Sequence, residues 1–217
     1  MYNNHPSFEL NEIFTAKPYQ GVAPEEATFL FIGLDANYQA EIEKHPIFPK
    51  IIEYHNDGVV FWQKYGVHHP FLLPGYSGDG QFYHRSFARI GFQPEHASLV
   101  SFAEILHVPT VGRNNLVVSD LDMLHLKKLN TAILDGKPDF IFIPAGVARL
   151  MRLAGAFPWL EKQLKEKNGP LSILYRQYNK TVYAHLHFSN YGKFEQQKVQ
   201  ELAFIGSLLL TVLQPDI

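Results

Sequence analysis

"FLFIGLDANYQ", residues 29–39, passes from large apolar side chains directly to an acid. The apolar run, which extends over residues 27–34, is short and continuous, as is typical of a strand buried in a sheet. It stops at Asp35, and a small residue, an amide and a tyrosine follow before ordinary helix-forming residues begin. The sequence therefore predicts a buried strand that holds a single carboxylate at its end.

Further strands are predicted along the chain, separated by helical patterns. Apolar runs predict strands over residues 97–105 and 138–146, and residues 171–188 predict a hairpin or two adjacent strands. One intervening helix is predicted to begin with Ser119 as its N-cap, and the last helix to occupy roughly residues 190–213. This alternation favours an α/β fold with three layers, α/β/α, and a mostly parallel central sheet of about four strands.

The chain is predicted to form one domain over residues 27–217, preceded by an N-terminal arm over residues 1–26 that lies on its surface. The arm lacks hydrophobic periodicity and contains three prolines and a glycine, which are typical of irregular structure. No internal repeat or interdomain linker is evident in the rest of the sequence.

Composition excludes several classes of protein. The chain has no cysteine, which rules out disulfides, thiolate zinc sites and cysteine nucleophiles. No P-loop or GxGxxG motif follows the first strand. The longest C-terminal apolar stretch, residues 202–213, is shorter than the roughly 20 residues that span a membrane, and the N-terminus shows no secretory signal. We therefore expect a soluble intracellular protein, cytoplasmic if bacterial, without membrane association.

The charge balance gives no direct indication of a partner. With 19 basic and 21 acidic residues the formal charge is −2, so a nucleic-acid-binding role would have to depend on a local basic patch. The 11 histidines are numerous for a chain of this length and require an explanation.

Polar side chains follow several of the predicted strands. Because the ligand crevice of an α/β sheet lies at the carboxyl ends of its strands, we expect these side chains to gather around one crevice. Two of the histidines alternate along the last strand and are therefore predicted to share one face. The residues concerned are Asp35, Glu104, His107, His185, His187 and Asn190.

Simpler interpretations remain open for each of these positions. Asp35 suits the N-cap of a following helix as well as it suits a general base or electrostatic stabiliser. Arg113 and Asn114 lie in a glycine-containing loop that is either solvated or able to bind phosphate. Phe71, between Pro70 and a turn-rich segment, is either a core residue or a stacking platform.

Four segments, in order, resemble the uracil-DNA glycosylase superfamily, with similarity to its mismatch-specific thymine/uracil branch. The first is Gly33-Leu34-Asp35-Ala36-Asn37-Tyr38, where the family has Gly-Gln-Asp-Pro-Tyr-His or Gly-Leu-Asn-Pro-Gly. The family's His-Pro-Ser-Pro motif stands here as His187-Phe188-Ser189-Asn190. Between them, residues 70–92 resemble the family's Gly/Pro loop and helix, and residues 104–115 resemble its Asn-x-Val-x-x-Pro-Thr-x-Gly segment. The resemblance spans residues 28–195.

The resemblance implies a DNA glycosylase for base-excision repair that acts without a cofactor or metal and is expected to be monomeric. Asp35 falls on the acid that orients water and stabilises positive charge on the sugar, and His187 on the histidine that hydrogen-bonds uracil O2. The resemblance implies that Asn37, Phe71 (stacking) and Glu104 (reading the base edge) bind the base, and that Ser189 (phosphate) and Tyr191 (wedge) contact DNA. Arg113, in the glycine-containing loop, and Asn190, next to Ser189, are predicted to be further DNA contacts.

Departures from the family pattern define the alternatives. The motif prolines are replaced by Ala36, Phe188 and Asn190, which favours a catalytically silent module that binds nucleic acid or a heterocycle on the same scaffold. Glu104 stands where the family has asparagine, if Pro109 fixes the alignment, and predicts a preference for an amino-bearing or otherwise modified base over uracil.

A second alternative is a metal-dependent hydrolase. His185-x-His187 would supply two ligands for Zn²⁺ or Mn²⁺, and the remaining ligands would come from Asp35, Glu104 and the pair His68–His69.

Overall fold

The computed structural model describes residues 3–112, 116–160 and 166–213. Seven strands of the described residues form one sheet: β1 (Tyr19–Gly21), β2 (Phe29–Gly33), β4 (Val100–Glu104), β6 (Phe140–Pro144), β7 (Lys167–Asn168), β8 (Leu171–Gln177) and β9 (Lys180–His185). Their spatial order is β1-β4-β2-β6-β9-β8-β7. A separate parallel pair consists of β3 (Asn37–Tyr38) and β5 (Thr110–Val111).

The centre of the large sheet is parallel. Strand β2 pairs in parallel with β4 and with β6, and β6 pairs in parallel with β9. Antiparallel strands complete both edges, because β1 pairs with β4 and the hairpin β8–β9 extends to β7. The predicted α/β class is confirmed, and the central strands are parallel, but the sheet as a whole is mixed and not mostly parallel. The sheet has seven strands, more than the predicted four or so, because short antiparallel strands extend each edge.

Helices cover both faces of this sheet. In chain order they are α1 (Phe8–Ala16), α2 (Phe48–Asn56), α3 (Gly58–Tyr65), α4 (Gln81–Ala88), α5 (Met123–Asp135), α6 (Ala145–Ala154) and α7 (Glu195–Leu213). Alternate residues of β2 point to opposite faces, as expected for a strand. Phe29 and Phe31 pack with residues of α3, α4 and α7, whereas Leu30 and Ile32 pack with residues of α5 and α6. This two-sided burial explains why the strand reads as a continuous apolar run.

The N-terminal segment is more regular than its sequence predicts. Helix α1 begins after Ser7, whose hydroxyl accepts a hydrogen bond from the backbone N–H of Leu10. Leu10 and Phe14 lie one turn apart and are buried. Together with Tyr38 and Phe71 they belong to an apolar cluster separate from the two that cover the faces of the large sheet. Strand β1 then adds to the sheet edge. Helix α1 has only two buried residues among its nine, so its hydrophobic periodicity is too weak for the helix to be predicted from sequence.

Two predicted helix boundaries are wrong. The N-cap of α5 is Asp122, whose carboxylate accepts from the backbone N–H of His125, whereas Ser119 lies in a preceding 3₁₀ turn. Helix α7 begins at Glu195, because residues 192–194 form a separate 3₁₀ turn. No helix in the described parts of the chain is long and apolar enough to cross a membrane.

Candidate functional site

A cavity of about 700 Å³ opens at the carboxyl ends of β2 and β4. Gly33, the last residue of β2, is the register partner of Glu104, the last residue of β4, so the segments that follow both strands reach the same edge of the sheet. The cavity is lined by six of the residues singled out from the sequence: Asp35, Asn37, Phe71, Glu104, His187 and Ser189. The chain segments that carry them are up to 154 positions apart in sequence, and the sheet brings them together.

Asp35 is held by the small β3–β5 sheet rather than by a helix. Thr110 Oγ1 donates a hydrogen bond of 2.5 Å to Asp35 Oδ2, and Asn37 Nδ2 lies 3.4 Å from the same oxygen. Asn37 Nδ2 also lies 2.8 Å from Thr110 Oγ1 and 2.7 Å from the carbonyl oxygen of Gly112. Since residues 37–38 form β3, Asp35 is not a helix cap, and its carboxylate lines the cavity.

Glu104 is a second carboxyl group at the same edge of the sheet. Its side chain leans across the neighbouring strand onto Gly33, where a Cβ atom would overlap its carboxyl oxygens. Oε2 is enclosed and has no hydrogen-bond partner among the described residues. Burial, followed by the nearby charge of Asp35, raises the pKa of Glu104 to about 8. At neutral pH this side chain is therefore largely a neutral acid.

His187 lies beyond the end of β9 and presents a hydrogen-bond donor. Its Nδ1 accepts from the backbone N–H of Ser189 at 3.2 Å. Burial lowers the pKa of His187, and the charge of Asp35 opposes this only in part, so the ring is neutral at pH 7. A neutral imidazole that accepts at Nδ1 carries its proton on Nε2. We therefore assign His187 as the Nε2–H tautomer, with the ring lining the cavity.

His185 does not share the cavity with His187, because β9 ends at His185 and His187 lies outside the strand, where it begins a turn over residues 187–190. His185 is buried against Phe188, with ring centroids 4.7 Å apart, and its Nδ1 donates to the carbonyl oxygen of Leu186 at 2.6 Å. Burial lowers the pKa of His185 to about 3. Among the described residues, no group of three or more His, Asp or Glu side chains is arranged to hold a metal ion. The ligand set of the metal-hydrolase alternative is therefore not assembled in this part of the chain.

Flat aromatic rings form one wall of the cavity. His69 and His84 are stacked, with ring centroids 3.5 Å apart and an interplanar angle of 7°. Burial lowers the pKa of both rings, that of His84 to about 3, so the pair is neutral. Phe71 is stacked on Tyr76 at 4.1 Å and is only 3% exposed, so it combines a core position with contact to the cavity.

Several residues of this wall were missed in the sequence: Tyr38, Tyr54, Tyr76, Tyr83 and His84. The only signal for Tyr76, Tyr83 and His84 is the density of aromatic residues between positions 65 and 84, which is equally typical of a core. Tyr38 is fixed by a buried chain in which Gln20 Nε2 lies 3.2 Å from His55 Nδ1, and His55 Nε2 lies 2.6 Å from the tyrosine hydroxyl.

The residues predicted to contact DNA lie in three different settings. Ser189 lines the cavity, whereas Asn190 uses its backbone carbonyl to accept from the buried Lys198 Nζ at 2.6 Å. Tyr191 is 76% exposed and makes an edge contact with Phe82, itself 49% exposed. Arg113 lies outside the described residues. Tyr191 and Phe82 thus form an exposed aromatic pair at the start of α4, close to the cavity.

The sequence matches no protein-family model and shows no significant similarity to any curated protein.

Proposed function

We propose that this protein is a DNA glycosylase that hydrolyses the N-glycosidic bond of a flipped-out damaged or mismatched base. The observation that carries the proposal is the meeting of Asp35 and His187 in one cavity. The order of the motifs, which resembles the uracil-DNA glycosylase superfamily, supports it. We likewise propose that the α/β fold is the three-layer α/β/α fold of that superfamily.

The chemistry of the reaction requires opposite charges to be stabilised on two sides of one bond. As the bond between the sugar C1′ and the base nitrogen breaks, its electron pair leaves with the base and C1′ becomes oxocarbenium-like. The carboxylate of Asp35 would stabilise this positive charge and orient a water molecule, whose oxygen bonds to C1′ and whose proton passes to the carboxylate. The negative charge on the base would be stabilised by the Nε2–H of His187.

A flipped base also requires a pocket with flat apolar walls. The stacked His69–His84 pair and Phe71 supply such walls, and the neutral state of both histidines avoids the cost of burying charge. The fixed position of Asp35 between Thr110 and Asn37 supports a preorganised role, because such a group need not reorganise during the reaction.

The proposal is tested by incubating the protein with DNA duplexes that carry uracil, mismatched thymine or hypoxanthine, followed by alkali to break the strand at abasic sites. We expect strand breaks with at least one of these bases. Asp35→Asn should reduce the rate by about 10²–10⁴-fold, the range typical of a positioned acid or base. Asp135→Asn, an exposed acid at the end of α5, is the matched control and should leave the rate unchanged.

Two results would contradict the assignment. Strand breaks that persist in Asp35→Asn would show that another group performs the chemistry. Base-dependent binding without any abasic product would select the catalytically silent module, which the missing motif prolines favour.

A further inference from the structure

Glu104 is the most unusual polar group in the cavity. One of its carboxyl oxygens, Oε2, is enclosed without a hydrogen-bond partner among the described residues, and the residue lines the cavity directly. Native proteins pair nearly all buried polar atoms, and the exceptions commonly mark a functional group. The main chain of Glu104 is fixed by strand β4 and by His125, whose Nε2 donates to its carbonyl oxygen at 2.7 Å. The backbone of Glu104 is thus fixed, and its carboxyl group is incompletely paired.

We propose that Glu104 recognises a base as a neutral carboxylic acid and selects a ring edge that presents one donor beside one acceptor. This inference rests on the proposed function and specifies its substrate class. A neutral carboxyl group offers one O–H donor and one carbonyl acceptor, whereas a carboxylate offers acceptors only. The neutral form matches a lactam edge (uracil, thymine, hypoxanthine, and N1–H/O6 of guanine) and an amidine edge (cytosine, adenine). The carboxylate matches only two adjacent donors, as on guanine.

The surroundings of Glu104 favour the neutral form. Asp35 approaches it from the end of β2, and hydroxyl groups approach from Tyr38 in β3, Tyr54 in α2 and Tyr83 in α4. His187, in the segment after β9, also lines the cavity. The other titratable residues that line the cavity are His69, Tyr76, Asp79 and His84. Among the described lining residues there is no lysine or arginine to stabilise a second negative charge.

Ionisation of Glu104 should therefore switch recognition off in mildly alkaline solution. The pKa of Glu104 is raised to about 8 by burial and by Asp35. Burial raises the pKa of Tyr38, Tyr54 and Tyr83 above its usual range and lowers that of His187. It also raises the pKa of Tyr76 to about 12 and lowers those of His69 and His84. Between pH 7 and 9 these tyrosines and histidines therefore stay neutral, and Glu104 is the group that loses its proton.

This inference is broader than the preference for an amino-bearing base that the sequence predicts. That prediction treats Glu104 as an acceptor of hydrogen bonds from an amino group. As a neutral acid the same side chain also donates, so bases with a lactam edge enter the class at neutral pH as well.

Binding, rather than cleavage, provides the test. Fluorescence anisotropy would measure the affinity for oligonucleotides that carry one uracil, hypoxanthine, cytosine or guanine on a 2′-fluoroarabino sugar, which resists hydrolysis. The same strand with a tetrahydrofuran in place of that nucleotide measures binding to the backbone alone. We expect the base-dependent part of the affinity for uracil, hypoxanthine or cytosine to fall about tenfold between pH 7 and 9, as the neutral fraction of an acid with this pKa does.

Two variants separate this role from a structural one. Glu104→Gln keeps one donor and one acceptor at every pH, so its base-dependent affinity for cytosine, a base that does not ionise between pH 7 and 9, should persist and become independent of pH. Glu104→Ala should lose the base-dependent part of the affinity at every pH. A wild-type profile that is flat, a Gln variant that keeps the wild-type pH dependence, or no base-dependent binding would each overturn the inference. So would a steeper fall with pH for guanine, which also offers two donors to the carboxylate, than for cytosine.

The outcomes also distinguish this inference from the proposed function. If pH-dependent binding is found but natural substrates are never cleaved, the recognition stands and the glycosylase assignment fails. If strand breaks occur but Glu104→Gln binds with the wild-type pH profile, the glycosylase stands and the recognition fails.

Discussion

The hydroxyl group of Thr110 lies 2.5 Å from Oδ2 of Asp35, and this contact joins two residues that are 75 positions apart in the chain. It exists because β3 and β5 pair in parallel beside the main sheet, with Asn37 opposite Thr110. The two-stranded sheet therefore fixes the position of the segment that follows β2. Its effect is to fix a carboxylate at the carboxyl edge of the large sheet, where the cavity opens.

Removing this contact should impair catalysis more than folding. In Thr110→Val the hydroxyl is lost while the shape is kept, and we expect kcat for base removal to fall about tenfold to a hundredfold with KM little changed, since the carboxylate would no longer be held in its reactive position. Thr110→Ser restores the donor and should recover most of the rate. Single-turnover kinetics and thermal melting of both variants check this. Equal losses in the valine and serine variants would show that the methyl group matters rather than the hydroxyl.

Gly33 is required because the carboxyl group of Glu104 occupies the space of a side chain at that position. Gly33→Ala should displace Glu104, destabilise the protein by about 1–3 kcal/mol as overpacking does, and abolish base-dependent binding. Gly146→Ala, in α6, is the matched control, because a Cβ there meets no neighbouring atom. Chemical denaturation and anisotropy measure the two effects. A Gly33→Ala protein that resembles the control in both would contradict the packing described here.

Replacing Glu104 should also change how stability depends on pH. Its pKa is higher in the folded protein than in the unfolded chain, so the folded state binds the extra proton and loses stability as pH rises towards 8. Glu104→Gln cannot ionise and should gain about 2 kcal/mol over the wild type between pH 6 and pH 9, allowing for partial solvation. Urea denaturation at the two pH values measures the difference. A constant difference would show that Glu104 is ionised throughout.

The sequence best predicts the strands whose two faces are both buried in the folded protein. Strand β2 and the position of Asp35 follow from a continuous apolar run that ends in an acid, and β4 and β6 follow in the same way. Strand β1 is missed because its three residues gain regularity only from pairing with β4, more than 75 positions later.

The candidate site is predictable only in part, for a related reason. Glu104 ends a strand, and Asp35 and His187 lie just beyond strand ends, so the rule that strand ends converge predicts their meeting. The aromatic wall comes instead from loops and helices whose placement depends on tertiary packing, as with the stacking of His69 on His84. His185 shows the limit of strand periodicity, because β9 ends there and His187 already lies outside the strand.

Many of the 11 histidines are neutral and buried, which predicts sensitivity to mild acid. Burial lowers the pKa of His55, His84 and His185 to about 3. The unfolded chain therefore binds more protons than the folded protein below pH 6.5, and stability is lost as pH falls from there. Each such histidine costs about 2 kcal/mol at pH 5, against a typical total of about 5–15 kcal/mol. We expect urea midpoints to fall steeply between pH 7 and 5. Unchanged midpoints would mean that these rings are already protonated.

The exposed pair Tyr191 and Phe82 suggests how the protein would engage a duplex. An aromatic ring that is 76% exposed beside a cavity is available to fill the gap that a flipped base leaves. Tyr191→Ala should therefore weaken binding to duplex substrates about tenfold, because a base stacked on an aromatic ring contributes about 1–3 kcal/mol. Binding to single strands, which contain no such gap, should change little.

Tyr178 provides the matched control for this prediction. It is 92% exposed and lies in the turn between β8 and β9, outside the residues that line the cavity. Tyr178→Ala removes the same side chain and should leave both duplex and single-strand binding unchanged. Anisotropy titrations at one fixed salt concentration make the comparison, since phosphate contacts vary with salt. If the two alanine variants bind duplex equally well, Tyr191 does not enter the helix, and the base must reach the cavity from a strand that is already open.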